Sequence, residues 1–578
     1  MPSLIEKYFH LQILKSAEYF DNDIAIIDIS TGCSLTFSDI YNKSIQLSSV
    51  LHQFKFLKPK DVVLCVLNNN IYFPVILLGF SLNGILVTGA SPNSTIEELN
   101  HFINKTGCKI ILTENGKHLD WLASKSKELD ITLILLDKEK KQKGINFFEF
   151  LESNKNIENR ERNKFLEEFE ANKFLGGTNR DDEDDPLFVA LLSSSTSEYA
   201  KLILLTHRNY INTTEILKPI FDKISNGKRG ITIAAQPFYH ASGLWILCYC
   251  LLFGHRSLVM KEFEPIKYLN VVEENKIETL SLNPLMIASI VEQMEIEKEK
   301  FDLVCYFNII ISNYLNSLVL CKTIISGGWM DSTNASEKLI NYCSSLKNFV
   351  NSYGMTEIVL VSHMIPLGMD KKDNRITKSV GRLLPGFEYK IVDCLSNEDL
   401  VSNKNYSPGT KGELWLRSAS IMYGYLNDPI LNKKAIDSDG WFHTGDIVYE
   451  DHDGFFFVLD RISNLIIVDG HQVWPTELEA ILLLHPRVQE ACVVGVKIKL
   501  NGNFVDAPKA IVVLSKIDKE EENEETISLI LKEILLFTNE RLERHQQITG
   551  GIMSVDSLPK TPFGKIARGK VRGMFLKD

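Results

Sequence analysis

Hydrophobic positions follow two alternating periods along this chain. Short runs rich in β-branched residues, Asp61 to Leu67 and Lys109 to Thr113, read as strands, and the apolar stretch Ile71 to Ser81 between them reads as a helix. That alternation predicts parallel sheets covered by helices, the α/β class. The first twenty residues, MPSLIEKYFHLQILKSAEYF, mix acidic and basic side chains into their apolar positions, which predicts an amphipathic helix and not a secretion signal. The two most apolar stretches, Ile71 to Val87 and Gly243 to Gly254, are interrupted or too short to span a bilayer and predict buried helices. Between Lys138 and Asp185 the chain is charged and weakly patterned apart from Phe147 to Leu151, as expected of a surface excursion with some helix. A tight turn at Asp453-Gly454 joins two strands, the second running Phe455 to Leu459, and Asp460 to Ser463 follow as the expected hinge to a smaller domain. No internal repeat is present.

Composition narrows the class. A chain of 578 residues exceeds what one hydrophobic core organises, and 44% hydrophobic residues suffice for several. A net charge of −11 gives no electrostatic footprint for nucleic acid or an anionic membrane. The ten cysteines are scattered, and the closest pair, Cys248 and Cys250, lacks metal-ligand spacing, so they are expected to be buried small apolar residues in a reducing compartment. The ending Phe575-Leu576-Lys577-Asp578 is not a peroxisomal Ser-Lys-Leu type of address, and the expected location is the cytoplasm, with peroxisomal import by another route left open.

The chemistry begins at Asn351 to Glu357, NSYGMTE, followed by Trp441 to Asp446, WFHTGD, and then Asp460-Arg461. Tyr353 supplies a flat ring for a purine, and Gly354 lets backbone approach closely. Thr356 offers a hydroxyl for phosphate, Glu357 a carboxylate for Mg²⁺, and Asp446 an acceptor for both ribose hydroxyls. In that order the segments suit a nucleotide site.

These segments resemble the adenylate-forming superfamily, which includes acyl-CoA and aryl-CoA ligases and beetle luciferases. The likeness runs from about Thr36 to Lys570: it includes Gly381 to Gly386, Lys390 to Asp393, GELWLRS from Gly412, IMYGYLNDP from Ile421, GHQVWPTELEAILLLHPRVQEACVVGV from Gly470 and LPKTPFGKIARGKVR from Leu558. The resemblance implies an N-terminal adenylation domain over 1–459 built of parallel-type sheets with helices plus a small β-barrel-like subdomain. It further implies a hinge over 460–463 and a small mobile α+β domain over 464–578. The implied reaction joins a fatty or aromatic carboxylic acid to coenzyme A, with ATP consumed through an acyl-adenylate.

Residue by residue, the resemblance implies that Ser193, Ser194, Thr196, Ser197 and Lys201 hold phosphates, with Thr196 and Glu357 as Mg²⁺ ligands. Gly327 and Gly328 would contact adenine, Arg461 the ribose, and His240 the acyl carboxylate. Lys565 would bridge the attacking carboxylate and the α-phosphate, and Thr356, with its hydroxyl for phosphate, and His240 complete the catalytic candidates. Asp460 is expected to fix the hinge by a hydrogen bond. The chain departs from the pattern at Ser195, Glu198 and Leu202, where glycines are usual, and at Trp329-Met330-Asp331, where small residues and proline are usual. Ile467 and Asp469 stand where lysines are frequent. Two further readings therefore stand beside the ligase: a pseudoenzyme that binds nucleotide, acyl-CoA or a protein partner, and a luciferase-like monooxygenase, disfavoured by Ile467. Oligomeric state is not legible.

Overall fold

The structure is a computed structural model that describes residues 4–53, 56–137, 143–153, 185–193, 201–300, 318, 320–328, 334–394, 396–402, 407–500, 503–515, 524–560 and 566–575. Of the charged excursion expected over 138–185, only 143–153 and 185 lie among them.

An eight-stranded sheet forms the centre of the N-terminal body. Its parallel core pairs Val62–Val66 with Leu86–Ala90 on one side and with Ile110–Thr113 on the other. All three strands are fully buried, which is why they read as unbroken apolar runs and not as alternating ones. The crossover between the first two is the helix Phe73–Ser81, buried on every side, so the apolar stretch expected there is a helix through the core. Local chemistry sets the ends of other helices. Ile96–Thr106 starts in a capping box made by Thr95 and Glu98 and stops at Gly107 in the left-handed region; His207–Ser225 starts in a box made by Thr206 and Asn209. The N-terminal helix Phe9–Phe20 buries Phe9, Leu11, Ile13 and Leu14, as its amphipathic pattern predicts.

Two further sheets flank this one. A five-stranded sheet runs Thr279–Ser281, Thr323–Gly327 and Asn348–Tyr353 in parallel, then His363–Met364 and Arg382–Leu383 antiparallel. A four-stranded sheet carries Ile231–Ala234, Arg256–Val259, Ile24–Asp28 and Ser34–Thr36. A separate antiparallel sheet of Glu388–Val392, Gly412–Arg417, Phe442–Glu450 and Phe456–Arg461 stands where the small β subdomain is expected. Among the described residues no helix is long and apolar enough to cross a membrane. Of the ten cysteines, nine are described; all are free thiols, and seven of them are buried.

The C-terminal domain has its own cores, built from Ile466, Val473, Leu478, Val493 and Ile534 and from Cys492, Ile511 and Val571. The last strand of the body runs Phe456–Arg461 and so carries Asp460 and Arg461, the first two residues of the expected hinge, before a 3₁₀ turn at Ile462–Asn464. Asp460 is buried and gathers this junction: one carboxylate oxygen accepts from the Arg461 and Asn464 nitrogens at 2.7 and 2.8 Å, the other from the Thr476 N–H at 3.2 Å. Thr476 also donates to the Leu459 carbonyl at 2.7 Å, and Lys411 pairs with Glu477 across the domains.

Inside the small domain, Glu479 and Arg568 form a bidentate ion pair, with Arg568 Nη2 2.7 Å from Glu479 Oε2. Glu479 also accepts the Val493 N–H at 2.7 Å, and Arg568 donates to the Val493 carbonyl at 2.9 Å. Both side chains are largely buried, 11% and 17% exposed. Removing one partner of such a pair leaves an uncompensated buried charge, which costs about 3–5 kcal/mol. Arg568→Leu is expected to destabilise this domain by that amount, measured as a lower denaturant midpoint of its unfolding; a midpoint equal to wild type would contradict the assignment.

Candidate functional site

The carboxyl ends of the parallel strands Thr323–Gly327 and Asn348–Tyr353 lie side by side, with Gly327 in register with Ser352. Crevices at such ends are where α/β sheets bind ligands. Tyr353 closes its strand, and the chain turns back at Gly354, where a Cβ would sit 1.7 Å from the Leu360 carbonyl oxygen. Only glycine fits that turn. Ser352 Oγ donates to the Ser326 carbonyl at 2.7 Å, and a Cβ at Gly327 would meet that same Oγ at 2.5 Å. Gly328 follows with φ +114°, a backbone shape open to glycine, and presents bare main chain at this edge. Trp329, Met330 and Asp331 lie outside the described residues.

Asp446 and Arg461 face each other in register on neighbouring antiparallel strands. Asp446 is 5% exposed. Its Oδ2 accepts from the Tyr353 hydroxyl at 2.7 Å, and its Oδ1 lies 3.0 Å from Arg461 Nε. Burial, reinforced by the Asp446 charge, pushes the Tyr353 hydroxyl well above its ordinary pKa and keeps it a donor; the same carboxylate raises the Arg461 guanidinium. A carboxylate offers about four acceptor positions. The protein takes one on each oxygen, and the remainder suits a vicinal diol beside the Tyr353 ring.

A second cluster adjoins the first through the 3₁₀ turn Thr356–Ile358. Thr356 is buried, and Glu357 is partly exposed. The Tyr425 hydroxyl donates to Glu357 Oε1 at 3.0 Å, leaving Oε2 without a protein donor among the described residues. Lys201 Nζ sits 5.0 Å from the centre of the Tyr425 ring. Ser193 and Lys201 close the phosphate-loop segment at its base: the Ser193 N–H donates to the Lys201 carbonyl at 2.8 Å, and the Lys201 N–H to Ser193 Oγ at 2.9 Å. Ser194, Ser195, Thr196, Ser197 and Glu198 lie outside the described residues. Leu202 is no loop residue. It begins the strand Leu202–Thr206, is fully buried, and accepts the Leu426 N–H on its carbonyl, so the side chain at this glycine position is spent on the core.

A carboxylate with one oxygen free of protein donors among the described residues suits Mg²⁺, which is held by one or two carboxylates plus substrate phosphates. Among the described residues no three His, Cys, Asp or Glu side chains are grouped to hold a metal ion by themselves.

His240 stands at the start of the buried helix Ala241–Phe253. Its loop is fixed by Asn69, which donates to the Ala234 and Gln236 carbonyls at 3.0 and 2.9 Å and accepts the Phe238 N–H at 2.8 Å. Gly243 is packed against the loop, since a Cβ there would lie 2.1 Å from the Pro237 carbonyl oxygen. Gln236 Nε2 donates to Ser281 Oγ at 3.1 Å and so ties the loop to the sheet that carries Tyr353. Lys565 lies outside the described residues; its segment is bracketed by an antiparallel bridge between Lys560 and Ile566. In the small domain, Asp469 and Gly470 both have positive φ, 50° and 81°, and form the two-residue turn between Ile466–Val468 and His471–Val473. Asp-Gly is what a type I′ turn asks for, which gives Asp469 a structural reason.

Sequence reasoning missed Tyr425, which in IMYGYLNDP reads as one more apolar strand position; only its tertiary pairing brings it to Glu357. It also missed His363. This residue pairs in register with Tyr353, packs against Phe456 with ring centres 4.4 Å apart, and is fully buried.

Comparison with known proteins agrees with this geometry. A family described as AMP-binding enzyme matches residues 13–426, and the AMP-binding enzyme C-terminal domain matches 477–565. The 4-coumarate–CoA ligase-like protein 6 of Arabidopsis thaliana is 28% identical over 95% of this chain and 88% of its own length. Peroxisomal OPC-8:0-CoA ligase 1 of the same plant is 29% identical over 94% and 89%. Among solved structures, ATP-bound MatB from Rhodopseudomonas palustris superposes with a TM-score of 0.73 at 20% identity, over 98% of this chain and 99% of that one, a likeness of fold.

Burial lowers the His363 pKa from 6.5 to about 3. Between those values the unfolded chain binds a proton that the folded one refuses, so stability falls as pH drops, by about 1.4 kcal/mol per pH unit for this one group. His363→Leu is expected to flatten the dependence of unfolding free energy on pH between about 6.5 and 5 by that slope; a slope unchanged from wild type would count against the assignment.

Proposed function

Because this chain belongs to the AMP-binding enzyme family, we propose that it is an acid–CoA ligase that activates a fatty or aromatic carboxylic acid with ATP. A carboxylate oxygen of the acid attacks the α-phosphorus of ATP, the bond to the bridging oxygen breaks, and pyrophosphate leaves. The thiolate sulfur of CoA then attacks the acyl carbon, and AMP departs with the bonding electrons while the thiol proton is lost to solvent.

The observation that carries this reading is the half-used carboxylate of Asp446, held between Tyr353 and Arg461 with acceptor positions to spare. In the proposed complex the purine lies against Tyr353 and the Gly327-Gly328 backbone, and the ribose hydroxyls donate to Asp446 beside Arg461. Ser193, Ser194, Thr196, Ser197 and Lys201 hold the β- and γ-phosphates. Thr356 faces the α-phosphate. Glu357, with Thr196, would hold Mg²⁺, which supplies neutralisation of phosphate charge when bound. His240 receives the acid's carboxylate at the mouth of the apolar segment Leu244 to Phe253, whose character suits a fatty or aromatic acid. Lys565 is assigned the bridge between that carboxylate and the α-phosphate, where negative charge grows in the transition state. Two departures that favoured a pseudoenzyme lose weight: Leu202 serves the core, and Asp469 serves a turn.

The test is pyrophosphate release by the purified protein with Mg²⁺-ATP over a panel of fatty, cinnamic and benzoic acids, with and without CoA. Acid-dependent release is expected from the wild type, with CoA thioester formed when CoA is present. Lys565→Ala is expected to slow release by about 10²–10³-fold, the scale for losing one group that stabilises transition-state charge, while ATP still binds. No acid-dependent release from the wild type, or equal rates in the variant, would contradict the proposal.

A further inference from the structure

Lys201 and Glu357 carry opposite charges at one end of the site, and two such groups left to themselves collapse onto each other. An ammonium bound to a neighbouring carboxylate is lost to a phosphate, and that carboxylate is lost to a metal ion. Among the described residues no ion pair joins them. Both meet Tyr425 instead: Glu357 Oε1 accepts from its hydroxyl at 3.0 Å, and Lys201 Nζ lies 5.0 Å from its ring centre, within reach of a cation–π contact.

The main chain that carries the ring is itself held from several sides. Gly424–Tyr425 is an edge strand paired antiparallel with Leu202–Thr206, Tyr425 opposite Ile203, two residues past Lys201. The Tyr425 N–H donates to Asn432 Oδ1 at 2.6 Å, and Asn432 Nδ2 returns to the Tyr425 carbonyl at 3.1 Å. Asn432 belongs to the helix Pro429–Ala435, and the Met422 N–H, three residues back, donates to the Glu357 carbonyl at 2.8 Å. Tyr425 is 6% exposed, so its hydroxyl needs a partner, and Glu357 is the one it has.

We propose that Tyr425 is a positioning residue that holds Lys201 and Glu357 apart, its ring keeping the ammonium for the β- and γ-phosphates and its hydroxyl keeping the Glu357 carboxylate turned for the divalent cation that accompanies them. The assignment rests on the nucleotide reading of the site. The strand that follows Lys201 is also clamped by an added strand on its edge.

The two functions of the ring come apart in two variants. Tyr425→Phe keeps the face under Lys201 and removes the hydroxyl; Tyr425→Leu removes both. Equilibrium titrations of the full chain with AMP, with ATP in EDTA and with ATP in Mg²⁺ read them separately. Wild type is expected to bind ATP more tightly with Mg²⁺ than without. Tyr425→Phe should reduce that Mg²⁺ gain about tenfold, the scale of one hydrogen bond to a charged group, and leave metal-free ATP within about twofold. Tyr425→Leu should lose the Mg²⁺ gain and also bind metal-free ATP about three- to tenfold more weakly. AMP, which lacks the β- and γ-phosphates, should bind all three proteins within about twofold. The proposal is overturned if AMP affinity falls in step with that for ATP, if the Mg²⁺ gain survives in Tyr425→Phe, or if wild type shows no such gain. Should Tyr425→Leu fail to fold, Tyr425→Phe decides alone. A wild type that follows this binding pattern yet releases no pyrophosphate with any acid would sink the ligase reading and leave the Tyr425 assignment standing.

Discussion

A carboxylate buried to 5% exposure must be paired, and Asp446 sets that demand at the centre of this molecule. It is met by groups from two sheets. Tyr353 comes from the carboxyl end of a parallel strand and Arg461 from the neighbouring strand of the antiparallel sheet, at 2.7 and 3.0 Å. Tyr353 could not reach Asp446 unless those sheets met there, whereas Arg461 reaches it from the adjacent strand of the same sheet. The Tyr353–Asp446 bond thus ties the subdomain to the body, and it builds the surface proposed for the nucleotide in the same step. A carboxylate that is charged, partly satisfied and bonded to an aromatic hydroxyl follows from that one electrostatic requirement.

The same constraint reaches the C-terminal domain along a single strand. Arg461 neutralises Asp446, and Asp460, one position earlier, accepts from Asn464 and Thr476 on the far side of the junction. Side chains alternate across a strand, so consecutive residues face opposite ways. One faces Asp446 and the other the small domain. Any rotation of that domain must exchange the Asp460 contacts and the Lys411–Glu477 pair, while the Asp446–Arg461 pair can persist through it.

Much of the fold was legible because burial and periodicity agree: Val62–Val66, Phe73–Ser81 and Ile110–Thr113 are apolar runs whose lengths separate strand from helix. The residues proposed for the nucleotide, Tyr353, Asp446 and Arg461, come from ordered motifs, and the structure brings the three side chains together. What failed to show was whatever depends on long-range pairing. Leu202 read as a damaged loop because its partner, Leu426, lies more than two hundred residues away. Asp469 read as a lost cation because the turn it serves appears only once His471 pairs with Val468. Tyr425 and His363 gave no signal, since Tyr425 looks like core until its hydroxyl meets Glu357, and His363 until its strand pairs with Tyr353.

The most direct test of the account is the affinity of the purified protein for AMP, measured calorimetrically on wild type and on Asp446→Asn. If Asp446 is the anchor for the ribose, the amide keeps the shape but forfeits the charge-assisted bonds to two hydroxyls, and AMP binding should weaken by about 10- to 100-fold. Equal AMP affinity in the two proteins, with the variant shown to be folded, would mean that the nucleotide does not sit on Asp446, and the site as built here would fall.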